Sequence, residues 1–340
     1  MEPKKKLSLA EVIVNKRMLI SVLNGFAAGL PMYFLVQLIP AWLRDEGVDL
    51  KTIGFFGFIL VPYSFKYLWA PVLDRYIPPF LGRRRGWMMI TQVLILMCML
   101  SLSLLDPKID INLILYAGLG VAFFSATQDI VLDAYRRELL PDEELGLGNS
   151  YYANAYRISG FISGGLGLIL AEHMPWPMVF IIISCFMFIS ILHTLWISEL
   201  VSEDETPKSM REAVIEPFLE FFKRDGVKSG LLIIFFIFFY KFGDTVATAL
   251  ITPFYLDVGF SKVILGSVVK VVSVWSMVIG GFLGGVLMFK LGINKSLWIF
   301  GVVQMLSILG FAVLNEVGPN TYVLGGVVAF EYLGVGLGSA

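Results

Sequence analysis

Long apolar runs alternate with short polar breaks along almost the whole chain. A membrane-spanning helix needs roughly 20 predominantly apolar residues. Ten runs meet that length: 18–42, 52–73, 87–105, 112–134, 150–171, 177–198, 230–256, 263–288, 296–315 and 321–340. Gly29, Pro31, Pro40, Pro62, Gly160, Gly164 and Gly165 fall inside them. Packed membrane helices tolerate such residues, and the glycines permit close crossings. The pattern predicts an all-α membrane protein.

The breaks set the expected orientation. With the N-terminus inside, inner segments hold eighteen Lys and Arg, outer loops four, and the spans the remaining four. Positive loops stay on the cytoplasmic side. Residues 74–86 are the sharpest case, with Arg75, Arg83, Arg84 and Arg85 in one short hinge. The expected organisation is a cytoplasmic tail (1–17), a six-helix bundle (18–198), a cytoplasmic linker (199–229) and a four-helix remainder (230–340). Within the linker, Val214, Phe218 and Phe222 share one side of a helical spacing. That stretch suits either an interfacial helix or a solvated one.

Composition agrees. The chain is 57% hydrophobic with a mean hydropathy of +0.79. Charged residues are 16%, against about a quarter in a soluble domain. Cys98 and Cys185 lie in different apolar runs and are expected as buried core thiols. No cleavable signal follows the lysine-rich start. No Walker loop, H-E-x-x-H, C-x-x-C or nucleophile elbow is present. Catalytic, metal and cofactor sites are therefore not expected, and neither an enzyme nor a nucleic-acid partner is predicted.

Two loops repeat one another. Leu73-Asp74-Arg75 … Gly82-Arg83-Arg84 follows the second run, and Gly285 … Phe289-Lys290-Leu291-Gly292-Ile293-Asn294-Lys295 follows the eighth, offset by about 215 residues. Both resemble the G-x-L-x-D-R-x-G-R-R signature of the major facilitator superfamily. Ala70 stands where Gly is usual, 77–81 is an insertion, and the second copy lacks the Asp. The resemblance implies two pseudo-symmetric helical bundles, with ten of twelve or more spans present. The apolar ending at Gly336-Leu337-Gly338-Ser339-Ala340 is then expected to be a truncation.

From about Arg17 onward the chain resembles the AmpG-type muropeptide permeases. The matching stretches include Ala41-Trp42-Leu43, Lys66-Tyr67-Leu68-Trp69-Ala70-Pro71, Ser125-Ala126-Thr127-Gln128-Asp129-Ile130, Tyr156-Arg157, Tyr240-Lys241-Phe242-Gly243-Asp244 and Thr252-Pro253-Phe254. The resemblance implies a monomeric, proton-driven importer of the bacterial inner membrane. Its cargo would be GlcNAc-anhydroMurNAc and its peptides, and its role wall recycling and β-lactamase induction. In the first run, Phe34-Leu35-Val36-Gln37 replaces the small polar residues of better-known members. A different cargo (a small peptide, a sugar or an acyl-CoA-type metabolite) or an inactive truncated product stays open.

Ionisable residues inside spans mark candidate chemistry, since each costs at least about 2.5–3.5 kcal/mol at a helix centre. Asp129 and Asp133 share a helical face, and Lys66 lies at a similar depth. Asp129 suits a proton site or a structural one. Asp133 suits a proton site or a cytoplasmic gating network with Asp74, Arg75, Arg83, Arg136 and Arg137. Lys241 and Asp244 suit a local pair, cargo contacts or coupling, and Glu331 a proton site, an ion pair with Lys241 or Lys270, or a packing role as a hydrogen-bonded neutral acid. Arg157 matches an anionic cargo group or a bridge to Asp129. Gln128, Tyr156 and Tyr240 are further cargo-contact candidates, with Tyr33, Phe34 and Tyr67 as platforms for sugar rings. His173 and His193 are expected to be structural.

Overall fold

The computed structural model describes residues 13–200, 216, 219–224, 226–261 and 264–339; the side chains of 237, 238, 240–250, 252, 253, 256, 266 and 267 lie outside that description. The described residues are helical and contain no strand. In order they form α1 (Lys16–Tyr33), a π-turn (Phe34–Leu38), α2 (Ile39–Asp45), α3 (Leu50–Phe55), α4 (Val61–Phe65), α5 (Ala70–Arg75), α6 (Arg83–Leu102), α7 (Ile111–Leu139) and α8 (Leu145–Gly160). A second π-turn (Phe161–Leu166) leads to α9 (Gly167–Ala171), α10 (Trp176–Cys185), α11 (Met187–Trp196) and α12 (Gly226–Val258). A third π-turn (Leu265–Val269) precedes α13 (Lys270–Leu291), α14 (Ile293–Val317) and α15 (Thr321–Leu337).

Among the described residues, six helical stretches are long and apolar enough to cross a membrane: Lys16–Asp45, Arg83–Leu102, Ile111–Leu139, Trp176–Trp196, Lys270–Leu291 and Ile293–Val317. Each coincides with an expected run. The run at 52–73 is instead a string of short helices. Two 3₁₀ segments, Phe56–Leu60 and Lys66–Leu68, separate its pieces. Pro62 and Pro71 sit at the starts of α4 and α5, where a missing N–H costs nothing, so each restarts a helix and neither continues one. Polar caps define other ends. The Asn15, Asp49 and Asn320 side chains accept backbone N–H groups from the first turns of α1, α3 and α15, satisfying donors that a helix start leaves unpaired.

The chain divides into two compact units. The first holds Met1–Pro141 and Asn154–Val214, the second Asp142–Ala153 and Ile215–Ala340. In the first, Phe180 is the aromatic hub, edge-on to Trp42 at 4.7 Å and to Phe34 at 5.3 Å. Trp176 Nε1 donates to Asp45 Oδ2 at 2.7 Å, and buried His193 Nε2 lies 3.0 Å from Asn24 Oδ1. Glycines bring α1 against α8. A Cβ on Gly29 would collide with Tyr156 and Ser159, and Gly160 lies against the Tyr33 ring. In the second unit, Gly280 and Gly336 let α13 and α15 touch backbone to backbone. Lipid is as apolar as Leu, so close van der Waals packing of this kind holds membrane helices together where burial of apolar surface does not.

The same logic corrects the cysteines. Cys98 is half-buried and Cys185 exposed. An apolar thiol on a lipid-covered helix face needs no protein burial.

Candidate functional site

The first unit carries a polar face along the C-terminal half of α7. Asp129 and Asp133 stand one turn apart on α7. The Lys66 ammonium, turned toward them by its 3₁₀ segment, pairs with Asp129 and lies 3.8 Å from Asp133. Asp133 also accepts from Arg136 at 2.8 Å. These groups are partly open, with 30% of the Lys66 side chain, 20% of Asp129 and 44% of Asp133 accessible. Two bonds tie the broken helix string to α7: Tyr63 donates to Ser125 Oγ at 2.6 Å, and Trp69 Nε1 to Thr127 Oγ1 at 3.0 Å.

Next along this face come Tyr33 and Tyr156, with ring centroids 5.6 Å apart. Arg157, half-buried on α8, donates to Asn154 Oδ1 at 3.1 Å. No carboxylate pairs with it among the described residues, so the bridge to Asp129 is not made. Gln128 is fully buried between α1 and α7, where its Nε2 donates to the Ala27 carbonyl at 3.0 Å. The structure therefore places it in a helix contact, apart from the polar face.

Glu331, on α15 in the second unit, is 2% exposed and accepts the Ser307 hydroxyl of α14. Tyr240, Lys241 and Asp244 belong to α12; their side chains lie outside the described residues.

The expected gating residues fall into two clusters. Asp133 and Arg136 join Lys66, as above. Asp74 instead pairs with Arg84 at 2.7 Å, and Arg84 also takes Glu138 Oε1 at 2.7 Å. Arg83 stands 3.6 Å from the same Glu138. Arg75 lies over the Tyr76 ring, 5.6 Å from its centroid. Asp133 and Glu138 are five residues apart on α7, so they sit at different levels and serve different cations.

Glu138 and Glu199 were not expected in this network, and Arg84 was expected only as part of the basic hinge. The Glu199 carboxylate accepts the backbone N–H groups of Arg84 at 2.7 Å and Arg85 at 2.9 Å. It caps the start of α6, where the helix dipole favours an anion. In return, Arg85 donates to the carbonyls of Thr194 and Leu195 at the end of α11. The only sequence signal was the unpaired acid of Ser198-Glu199 directly after an apolar run.

An open, charged face of this kind on apolar helices suits a solute pathway. Residues 19–340 match the Major Facilitator Superfamily. The chain belongs to that superfamily, among its AmpG-type permeases. It is 46% identical over 342 residues to an uncharacterized protein of Haemophilus influenzae, covering 98% of this chain and 80% of that one. It is 37% identical over 336 residues to the anhydromuropeptide permease of Escherichia coli K12, covering 97% and 67%. A Rickettsia felis protein called AmpG 4 is 28% identical over 341 residues, covering 97% and 82%. This Major Facilitator chain is accordingly a multi-pass transporter of the bacterial inner membrane, built on the two-bundle all-α fold of its superfamily.

Proposed function

We propose that this permease imports peptidoglycan turnover products, GlcNAc-anhydroMurNAc and its peptides, in symport with protons. The observation that carries the reading is Arg157. A half-buried guanidinium with a carboxamide for its partner is a ready site for a carboxylate, and these cargoes carry one on the lactyl group or the peptide. Tyr33 and Tyr156 beside it offer ring faces and hydroxyls to a sugar. The name of the Escherichia coli relative supplies the cargo class.

Asp129, Asp244 and Glu331 are the candidates for proton coupling. Glu331 is the first choice, because a mid-helix acid bonded to a hydroxyl serves equally with or without its proton. Lys241 and Tyr240, both on α12, are further cargo-contact candidates. Asp74, Arg75, Arg83, Asp133 and Arg136 belong to the cytoplasmic side, with the N-terminus inside, and the working unit is a monomer. The physiological role is wall recycling, with influence on β-lactamase induction. Phe34 to Gln37 favour a second reading, a related cargo of different shape.

The test is uptake of labelled GlcNAc-anhydroMurNAc into proteoliposomes. Saturable, gradient-driven accumulation is expected. Glu331→Gln should abolish accumulation while leaving cargo exchange, and Arg157→Ala should weaken both. No saturable uptake with or without a pH gradient would refute the cargo, and normal accumulation by Glu331→Gln would remove that residue from the coupling step.

A further inference from the structure

Gln37 is exposed in the last third of the first apolar run, five residues before its end at 42, inside the π-turn between α1 and α2. It makes no hydrogen bond among the described residues. A bare carboxamide facing lipid would cost several kcal/mol, so its face of the helix is wet. Its neighbours agree. Tyr33 lies four residues earlier, against Tyr156, and Arg157 and Asn154 follow on α8.

The backbone is shaped around this side chain. Pro40 has no N–H to give to Val36, and the turn widens until Ile39 N–H bonds the Phe34 carbonyl. The second π-turn, Phe161–Leu166, faces the first. Ser163 Oγ bonds the Leu30 carbonyl at 2.9 Å across the contact, and Gly164 leaves the space that the Gln37 carboxamide fills; any Cβ there would collide with Gln37 Oε1. Wide turns of this kind concentrate at functional sites. Here two of them, one Pro and one Gly hold a single polar side chain on the wet face.

We infer that Gln37 is a specificity-determining contact, whose carboxamide hydrogen-bonds a neutral amide or hydroxyl on the sugar part of the cargo while Arg157 takes the anionic group. The identity of that sugar rests on the function proposed above; the placement of Gln37 on the pathway does not. A carboxamide both donates and accepts, so both of its ends are used by an N-acetyl group or a hydroxyl pair, whereas an acceptor-only carboxylate would use its N–H donors alone.

Two measurements on the full-length protein test this. The first places Gln37→Cys in a Cys98→Ser, Cys185→Ser background and labels it with a membrane-impermeant methanethiosulfonate. Leu192→Cys, on an exposed apolar face, is the lipid-facing control. Gln37→Cys should react at least ten times faster, and saturating GlcNAc-anhydroMurNAc should slow it. Equal rates at the two positions would overturn the inference. The second is uptake by folded, normally expressed Gln37→Ala. Loss of one neutral hydrogen bond predicts a rise in KM of roughly tenfold, with Vmax unchanged. The factor should be equal for the disaccharide and its tripeptide form, with Gln37→Asn intermediate. An unchanged KM, or a defect confined to the peptide form, would overturn the sugar contact. A wild-type protein that takes up no anhydromuropeptide overturns the cargo reading and the sugar contact together, whereas the labelling contrast is decided independently.

Discussion

The turn at Gly82 and the turn at Gly292 are built alike and held differently. Each glycine has a positive φ, 86° and 80°, and each begins a helix. Gly82 accepts from Gly86 N–H at 3.1 Å, and Gly292 from Ser296 N–H at 3.2 Å. This is the repeated loop of the sequence, expressed in backbone. The side chains diverge. Around Gly82, Arg84 is clamped by Asp74 and Glu138, and Glu199 caps the new helix. Around Gly292, Lys290 and Lys295 are exposed and make no ion pair among the described residues. A repeat therefore preserves the turn, while its charge network depends on acids that lie elsewhere in the chain.

The largest effect should come from Arg84→Ala. The Arg84 side chain is only 9% accessible, and its removal leaves two carboxylates facing one another. Breaking a buried pair costs about 3–5 kcal/mol, so the partial exposure of Asp74 and Glu138 predicts about 2–3 kcal/mol. Thermal unfolding in detergent would measure it, and a wild-type transition would break the contrast between the loops.

Next come the glycines themselves. Gly292→Ala should cost about 1–2 kcal/mol, since φ 80° with ψ 160° is a conformation that essentially only glycine adopts. Gly82→Ala carries the same strain and also drives a Cβ to 2.7 Å from the Glu199 side chain, so a larger loss is expected. Equal losses would show that Glu199 does not distinguish the two turns. Glu199→Gln keeps an acceptor and loses the charge at the start of α6; a loss of about 1 kcal/mol is expected. Lys295→Ala is the smallest, within about 0.5 kcal/mol, and a larger change would reveal a partner for the second loop.

How much could be read beforehand follows from the range of each interaction. Apolar runs are local, so α1, α6, α7, α10, α11, α13 and α14 lie within a few residues of expectation. The broken string at 50–75 was harder, because a proline inside an apolar run is compatible with a kinked span and with a restarted helix alike. The 3₁₀ turn that it leaves at Lys66 is what aims that ammonium at Asp129. Shared depth suggested this pair. Arg157 was offered the same carboxylate and does not take it. The grouping of Asp74 with Glu138, and the cap by Glu199 on Arg84 and Arg85, join residues 64 and more than 100 positions apart. No local spacing encodes such contacts. Gln37 stood out only as part of the Phe34–Gln37 departure from the family pattern, and its socket at Gly164 belongs to another segment of the chain.

The short stretch 142–153 belongs to the second unit although the chain around it belongs to the first. Its Gly146 lies against Met288, and a Cβ on Gly285 would come within 2.8 Å of Leu147 Cα and 2.6 Å of Ser150 Oγ. During synthesis it leaves the ribosome well over a hundred residues before α13, which at common elongation speeds is on the order of ten seconds. Through that interval the helical stretch after Pro141 waits without its mate. The newborn protein needs lipid, or an escort of the insertion apparatus, to shelter that seam until the later helix arrives.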